Sequence, residues 1–421
     1  MGIPAHAAVY AALFLGAVFL TRWRPAFGLA LLIVVVPISF AYPVAHTTIT
    51  LPKVALFGVI AGLAGARHFA VVRERRSARL FLAALAIAAV TALSYTQATF
   101  KEPALRETLK ALEYLLTFAA AAACYRADPD ERVIRCVVFG VAAAVSLFAL
   151  RQEWGGATSA IVIRDHVVAR IAGPLEGPNQ LSGYLGLLLP VMIAFALRGR
   201  AGALGWICIA VSIAALVLTF SRAGVLCAIV AVAIVFAYDR RRENVRAGYA
   251  VGALLLAAGS AALLIAGELS RFWSTESTLG PNGLGTRSEL WRAAWYLWQR
   301  HPWLGIGAGN YEFELGYAGY PELHTHANSG YLQTLVEQGV LGLLPLLWLT
   351  WLSLSSFITS RLREPLVAGI LGAMAGMALH EVFDDLLFYP KAGLMFWLLL
   401  GVGASVVSAA NKNLPRAPAY V

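Results

Sequence analysis

The sequence predicts an all-α, polytopic integral membrane protein, on three observations. Of its 421 residues, 59% are hydrophobic and only 13% charged, with a mean hydropathy of +0.71. Apolar runs of about 20 residues, the length a helix needs to cross a bilayer, recur along the whole chain. Most of the 33 Lys and Arg fall in short loops between those runs. That placement follows the positive-inside rule, so the net charge of +10 is no sign of a nucleic-acid partner.

Taken in order, the candidate spans lie near 5–20, 26–42, 54–72, 80–95, 109–124, 133–150, 181–197, 204–220, 224–238, 248–266, 331–358, 366–383 and 393–409. Adjacent short runs can merge or be re-entrant, which gives about 12–13 transmembrane helices. The first run has no basic segment before it and no convincing cleavage site, so it is expected to stay as a span. The chain reads as one transmembrane domain over 1–421, with no repeat and no soluble domain. Cys124, Cys136, Cys208 and Cys227 all lie in or at the ends of apolar runs and read as packing residues.

The basic loops at 73–79, 198–200, 239–243 and 360–364 and the tail at 411–416 are separated by even numbers of spans. One topology therefore puts all five in the cytoplasm. The outward-facing loops are then 97–107, 151–180, the tight turn at Ser221–Arg222, the segment 268–330 and 380–391. The segment 268–330 is the large periplasmic loop, expected to carry catalytic residues. Within it, Arg287–Arg300 reads as an amphipathic helix with Leu290, Trp291, Ala294, Trp295 and Trp298 on one face, suited to the membrane interface. His301-Pro302 ends that helix. The glycine turn Gly305–Asn310 follows a helix, not a strand, and lacks a P-loop Lys, so it does not read as a nucleotide loop.

The polar chemistry gathers on the outward face. Arg222, in a short outer turn, defies the positive-inside trend and points to function. Arg287 opens a helix whose free N–H groups favour an anion, and Arg170 precedes the span near Leu181. A guanidinium fork suits phosphate oxygens. His324, His326, Asn328 and Ser329 stand where the span from Tyr331 begins; imidazole is the side chain that accepts a proton near neutral pH. The same histidines also read as loop residues capping that helix with Asn328. Glu337 lies one helical turn from Gln333, near Gly339. His380, Glu381, Asp384 and Asp385 form a second outer cluster. A bare His-x-His is a weak zinc signal, and arginines rather than carboxylates stand ready for a diphosphate, so no metal or cofactor is expected.

Four blocks carry a family resemblance: Arg170-x-x-Gly173-x-x-x-x-Pro178-Asn179-x-Leu181; Ser221-Arg222-Ala-Gly224; Arg287-x-x-x-Trp291 with His301 through Asn310; and His324-x-His326-x-Asn328-Ser-x-Tyr331-Leu-Gln333 with Glu337-x-Gly339-x-x-Gly342. In order and spacing they resemble the O-antigen ligase/polymerase superfamily of bacterial envelope enzymes, the ligase branch more closely. The resemblance covers most of 170–342. It implies a GT-C-like membrane glycosyltransferase of the bacterial inner membrane, with its active site facing the periplasm. The implied donor is undecaprenyl-diphosphate-linked O-antigen, and the implied acceptor is lipid A-core, both held among membrane lipids. Two outer arginines and a histidine, the family's usual essential residues, map onto Arg222, Arg287 and the histidine pair. Asn328 stands where the family commonly has its second histidine, and counting back from Tyr331 selects His326 as the base. Arg170, Asn179, His324, Asn328 and Glu337 are expected to bind substrate. An O-antigen polymerase is the alternative, and a lipid-oligosaccharide transporter the competitor from another class; the gathering of polar groups on one face speaks against transport.

Overall fold

The computed structural model describes residues 5–44, 47–64, 75–155, 159–163, 166–238, 284–360 and 364–412. It is an all-α polytopic membrane protein. Six described helices contain segments long and apolar enough to cross a bilayer: His6–Trp23, Ser77–Ser94, Glu131–Gln152, Pro178–Leu197, Gly330–Ile358 and Pro390–Ser408. Five shorter apolar helices accompany them. In chain order the described helices longer than one turn are α1 (Ala5–Trp23), α2 (Pro25–Val35), α3 (Leu51–Leu63), α4 (Arg75–Ser94), α5 (Lys101–Ala127), α6 (Glu131–Gly155), α7 (Pro178–Leu197), α8 (Gly202–Leu218), α9 (Arg222–Tyr238), α10 (Leu284–Arg300), α11 (Gly330–Ile358), α12 (Pro365–His380) and α13 (Pro390–Lys412).

Helix α7 is the axis of the bundle. It is apolar on every side, and 94% of it is buried, which is what all-round hydrophobicity implies for a helix. α12 lies against it and against α9 through small residues. A Cβ on Gly369 would fall 2.5 Å from Val191 Cα, and one on Gly372 would fall 2.6 Å from the Ala231 carbonyl. Between membrane helices such close backbone approach supplies the packing energy that hydrophobicity cannot.

Several expected spans change. The run expected over 26–42 is helical only to Val35, because a proline at 37 inside the helix would clash with the carbonyl four residues back. The chain then forms a hairpin, β1 (Ala41–Val44) with β2 (Thr47–Thr50), Ala41 opposite Thr50. The next span starts earlier than expected, at Leu51, where the Thr50 hydroxyl accepts the Lys53 N–H at 3.5 Å. The expected outer loop 97–107 is mostly the start of α5, and the loop 151–180 contains a second hairpin, β3 (Ser159–Ile163) with β4 (His166–Arg170). The span expected over 248–266 and the first part of the large loop lie outside the described residues.

The two ends of the bundle differ chemically. At one end Arg24 forks onto Asp128 (2.8 and 2.9 Å) and reaches Asp130 (3.0 Å), and Arg200 pairs with Glu131. The basic turn 198–200 belongs to this end. At the other end meet both hairpins, the α8–α9 turn, the loop before α11 and the segment between α12 and α13.

Candidate functional site

At that second end α10 packs its Leu290, Ala293, Ala294 and Leu297 onto a small core with Ile306, Tyr311, Leu315 and Val336. The expected face was different. Trp295 is 49% exposed, because the two alanines let the helix approach closely on the adjoining face. Tyr311 fixes the contact by donating its hydroxyl to the Leu290 carbonyl at 2.7 Å.

The loop 301–310 explains its glycines. α11 breaks at Gly339 (φ 66, ψ −166), and the loop backbone fills the gap. Ile306 and Gly307 donate to the carbonyls of Val336 and Glu337 (3.0 and 2.9 Å), while Val340 and Leu341 donate to those of Pro302 and Trp303 (2.9 and 3.2 Å). These four bonds stand in for helical ones that the break removes. Gly305 has φ 67, and a Cβ there would fall 2.3 Å from the Glu337 carbonyl carbon. Glu337 belongs to this joint: its Oε1 accepts from Gln333 Nε2 at 2.7 Å and from the Tyr311 N–H at 3.2 Å. It sits inside the protein at 4% exposure.

His326 lies on the loop entering α11. Its Nε2 is 3.1 Å from the Tyr389 hydroxyl and 3.9 Å from Asp384 Oδ1, and Phe388 stacks on the ring with centroids 6.0 Å apart. A ring with its hydrogen on Nε2 would donate to the Tyr389 hydroxyl and leave its lone pair on Nδ1. Burial lowers the pKa below its ordinary 6.5, partly offset by Asp384 and Glu312, so the ring is neutral at pH 7. His324, two residues earlier, is exposed. Asn328 takes a left-handed conformation (φ 50) just before Ser329, the N-cap position of α11, so Asn328 turns the chain.

Asp384 is the hinge of a longer chain of contacts. Its Oδ2 accepts from Asn179 Nδ2 at 2.7 Å, and Asn179 Oδ1 accepts from Arg170 at 2.8 Å. Arg170 Nε also donates to the Thr219 carbonyl at 2.7 Å, tying β4 to the end of α8. Both ends of the Asn179 amide are thereby occupied, so it bridges Arg170 to Asp384. Burial, with Arg287 and Arg222 adding repulsion, pulls the Arg170 pKa down to about 10, against the attraction of Asp384; it stays a cation at neutral pH. Arg170, Arg222 and Arg287 are therefore within electrostatic reach of one another. Arg222 is held at the start of α9 by the tight turn Thr219–Ser221, where Phe220 adopts φ 51.

The structure thus brings His326, Arg170, Arg222, Arg287 and Asn179 to one end of the bundle, and places Glu337 behind them and His324 outside. Sequence reasoning grouped Asp384 with the outer residues but did not link it to His326, and it missed Tyr389. The link runs between residues 58 apart; the available signal was only that both follow or precede a span on the same face. Among the described residues no group of three His, Cys, Asp or Glu is arranged to hold a metal ion.

Fold and site define an integral membrane protein with a cationic, histidine-bearing centre at one end of its helix bundle. A family model described as O-antigen ligase matches residues 207–347. That match and the four blocks support kinship with the O-antigen ligase superfamily over that stretch. It takes in Arg222, Arg287, His326 and Glu337, while Arg170, Asn179 and Asp384 lie beyond it. No curated protein matches the chain.

Proposed function

We propose that the chain transfers undecaprenyl-diphosphate-linked O-antigen to lipid A-core at the periplasmic face of the bacterial inner membrane. The observation that carries this reading is the neutral His326, held by Asp384 and Tyr389 at the end of the bundle where Arg170, Arg222 and Arg287 converge. An acceptor hydroxyl loses its proton to Nδ1 of His326 as it attacks the anomeric carbon. The bond to the diphosphate breaks from the opposite face, which inverts the sugar, and the leaving diphosphate gains negative charge. Preorganised arginines stabilise that charge, with no metal or other cofactor invoked. Arg222 and Arg287 are the diphosphate ligands. Arg170, spent on Thr219 and Asn179, supplies field and holds Asp384. Asp384 stabilises the imidazolium that forms. The lipid portions of both substrates lie among membrane lipids beside the bundle.

The reading is tested by reconstituting purified protein with lipid-linked glycan and lipid A-core and resolving products on a gel. Higher-mass lipid A-core conjugates are expected. Extension of the lipid-linked glycan without acceptor would instead identify an O-antigen polymerase working from the same site.

A further inference from the structure

The segment 381–389, which joins α12 to α13 and carries Asp384 and Tyr389, wraps round the first turn of α11. The Gly330 N–H donates to the carbonyls of Glu381 and Asp384 (2.8 and 2.9 Å), and the Ser329 hydroxyl donates to that of Glu381 (3.3 Å). Two more carboxyls sit in this clasp. A Cβ on Gly330 would lie 1.8 Å from Glu381 Oε2 and 3.4 Å from Asp385 Oδ1, so the two carboxyls face each other across about 5 Å or less. Glu381 Oε1 accepts the N–H groups of Leu386 and Leu387 (3.0 and 3.1 Å). Asp385 Oδ2 is buried with no hydrogen-bond partner. Both residues line a cavity of about 120 Å³ between α4, α5, α11 and α13.

We propose that Glu381 and Asp385 are positioning residues that share one proton, and that this proton keeps the 381–389 segment clasped on α11 with Asp384 and Tyr389 set against His326. The catalytic consequence rests on the function proposed above; the shared proton does not. Two carboxylates this close and this deep cannot both stay ionised without a counter-charge. The groups facing them are Glu107, Lys110 and Tyr114 from α5, Glu337 and Tyr331 from α11, and Asp384 and Tyr389 in the same segment. Lys110 is the one lysine or arginine among them, and its ammonium is already held by Glu107 and the Phe388 carbonyl, each at 2.7 Å.

Burial raises both carboxyls: Asp385 to about 7, with Lys110 opposing and Asp384 and Glu107 adding repulsion, and Glu381 well above its ordinary range, with Asp385 adding repulsion. A raised folded-state pKa means the native protein binds more protons than the unfolded chain, so stability declines as pH rises from the ordinary carboxylate range through about 7.

The test combines a readout of the proton with one of activity. Infrared spectra of the purified protein at neutral pH should show a protonated-carboxyl band that shifts in D2O. It should weaken in Asp385→Asn and weaken further in the double variant Glu381→Gln/Asp385→Asn, losing a component that Glu337→Gln leaves in place. The wild-type unfolding temperature should fall from about pH 6 to about pH 9, and the double variant should flatten that slope. Glycan transfer by wild type should drop on the alkaline side by roughly tenfold per pH unit once the pair ionises, and the double variant should hold its rate there. A wild-type spectrum without such a band, or a band and unfolding slope unchanged in the double variant, overturns the proposal. Should the double variant not fold, the wild-type spectrum and Asp385→Asn decide. Expected spectra with no transfer at any pH would count against the ligase reading and leave the shared proton standing.

Discussion

At the scale of single residues, the proposed transfer rests on His326 and its partners. Removing a general base typically costs about 10²–10⁴-fold, so His326→Ala should lower transfer by that order while binding of the lipid-linked donor survives. His324→Ala, an exposed position, should cost far less. Because burial lowers the His326 pKa, the acid limb of the wild-type rate should fall below 6.5, and rates drop as the ring protonates. Asp384→Asn removes a carboxylate that raises that pKa, so the limb should move to still lower pH while the maximal rate declines. An acid limb that does not move would exclude His326 as the titrating group. Arg222→Lys and Arg287→Lys keep the charge but lose the planar fork, and each should cut transfer without loss of folded protein. Full activity in both would remove the diphosphate clamp. Asp384 was visible in the sequence as one of several outer acids; its bond to Asn179 was not, because 205 residues separate them.

Among the elements, α11 depends on a loop that is not part of it. The break at Gly339 is filled by backbone from 302–307, so helix and loop are one structural unit. Gly339→Ala adds a Cβ 2.2 Å from the Trp303 carbonyl at a φ of 66. It should destabilise the protein by about 1–3 kcal/mol, the usual cost of such backbone strain, before any cost of the clash. Thermal unfolding in detergent measures this, with faster proteolysis within 301–311 as a second readout. An unchanged unfolding temperature would show that loop and helix are uncoupled. The glycine-rich run was legible as a turn. Its role as a plug for a broken helix was not legible, since the spacing of glycines says nothing of the distant backbone they must pass.

Across the whole molecule, charge divides the bundle into two ends. With Cys136 replaced by serine, a cysteine at the exposed Glu322 should react with an impermeant reagent in intact spheroplasts, and one at the exposed Arg132 should not. The reverse pattern would turn the site to the cytoplasm, where no lipid A-core acceptor is expected, and would defeat the ligase reading.

Local chemistry carried much of this in the sequence itself. Runs of apolar residues force helices, since a bilayer leaves no other way to satisfy the backbone. Arginines in the α8–α9 turn and at the head of α10, and histidines before α11, stand beside spans and could be read as a set. Proline at 37 is legible too, yet the apolar run continues through it, because hydropathy persists where helix geometry stops. Only the tertiary structure decided which groups meet. It spent Asn179 and Arg170 on one another and on Asp384, drew Glu337 into a joint and set Glu381 against Asp385 over Gly330. Those outcomes depend on contacts between residues tens to hundreds of positions apart, and such contacts are fixed by how helices pack, which hydrophobic periodicity within each helix does not encode.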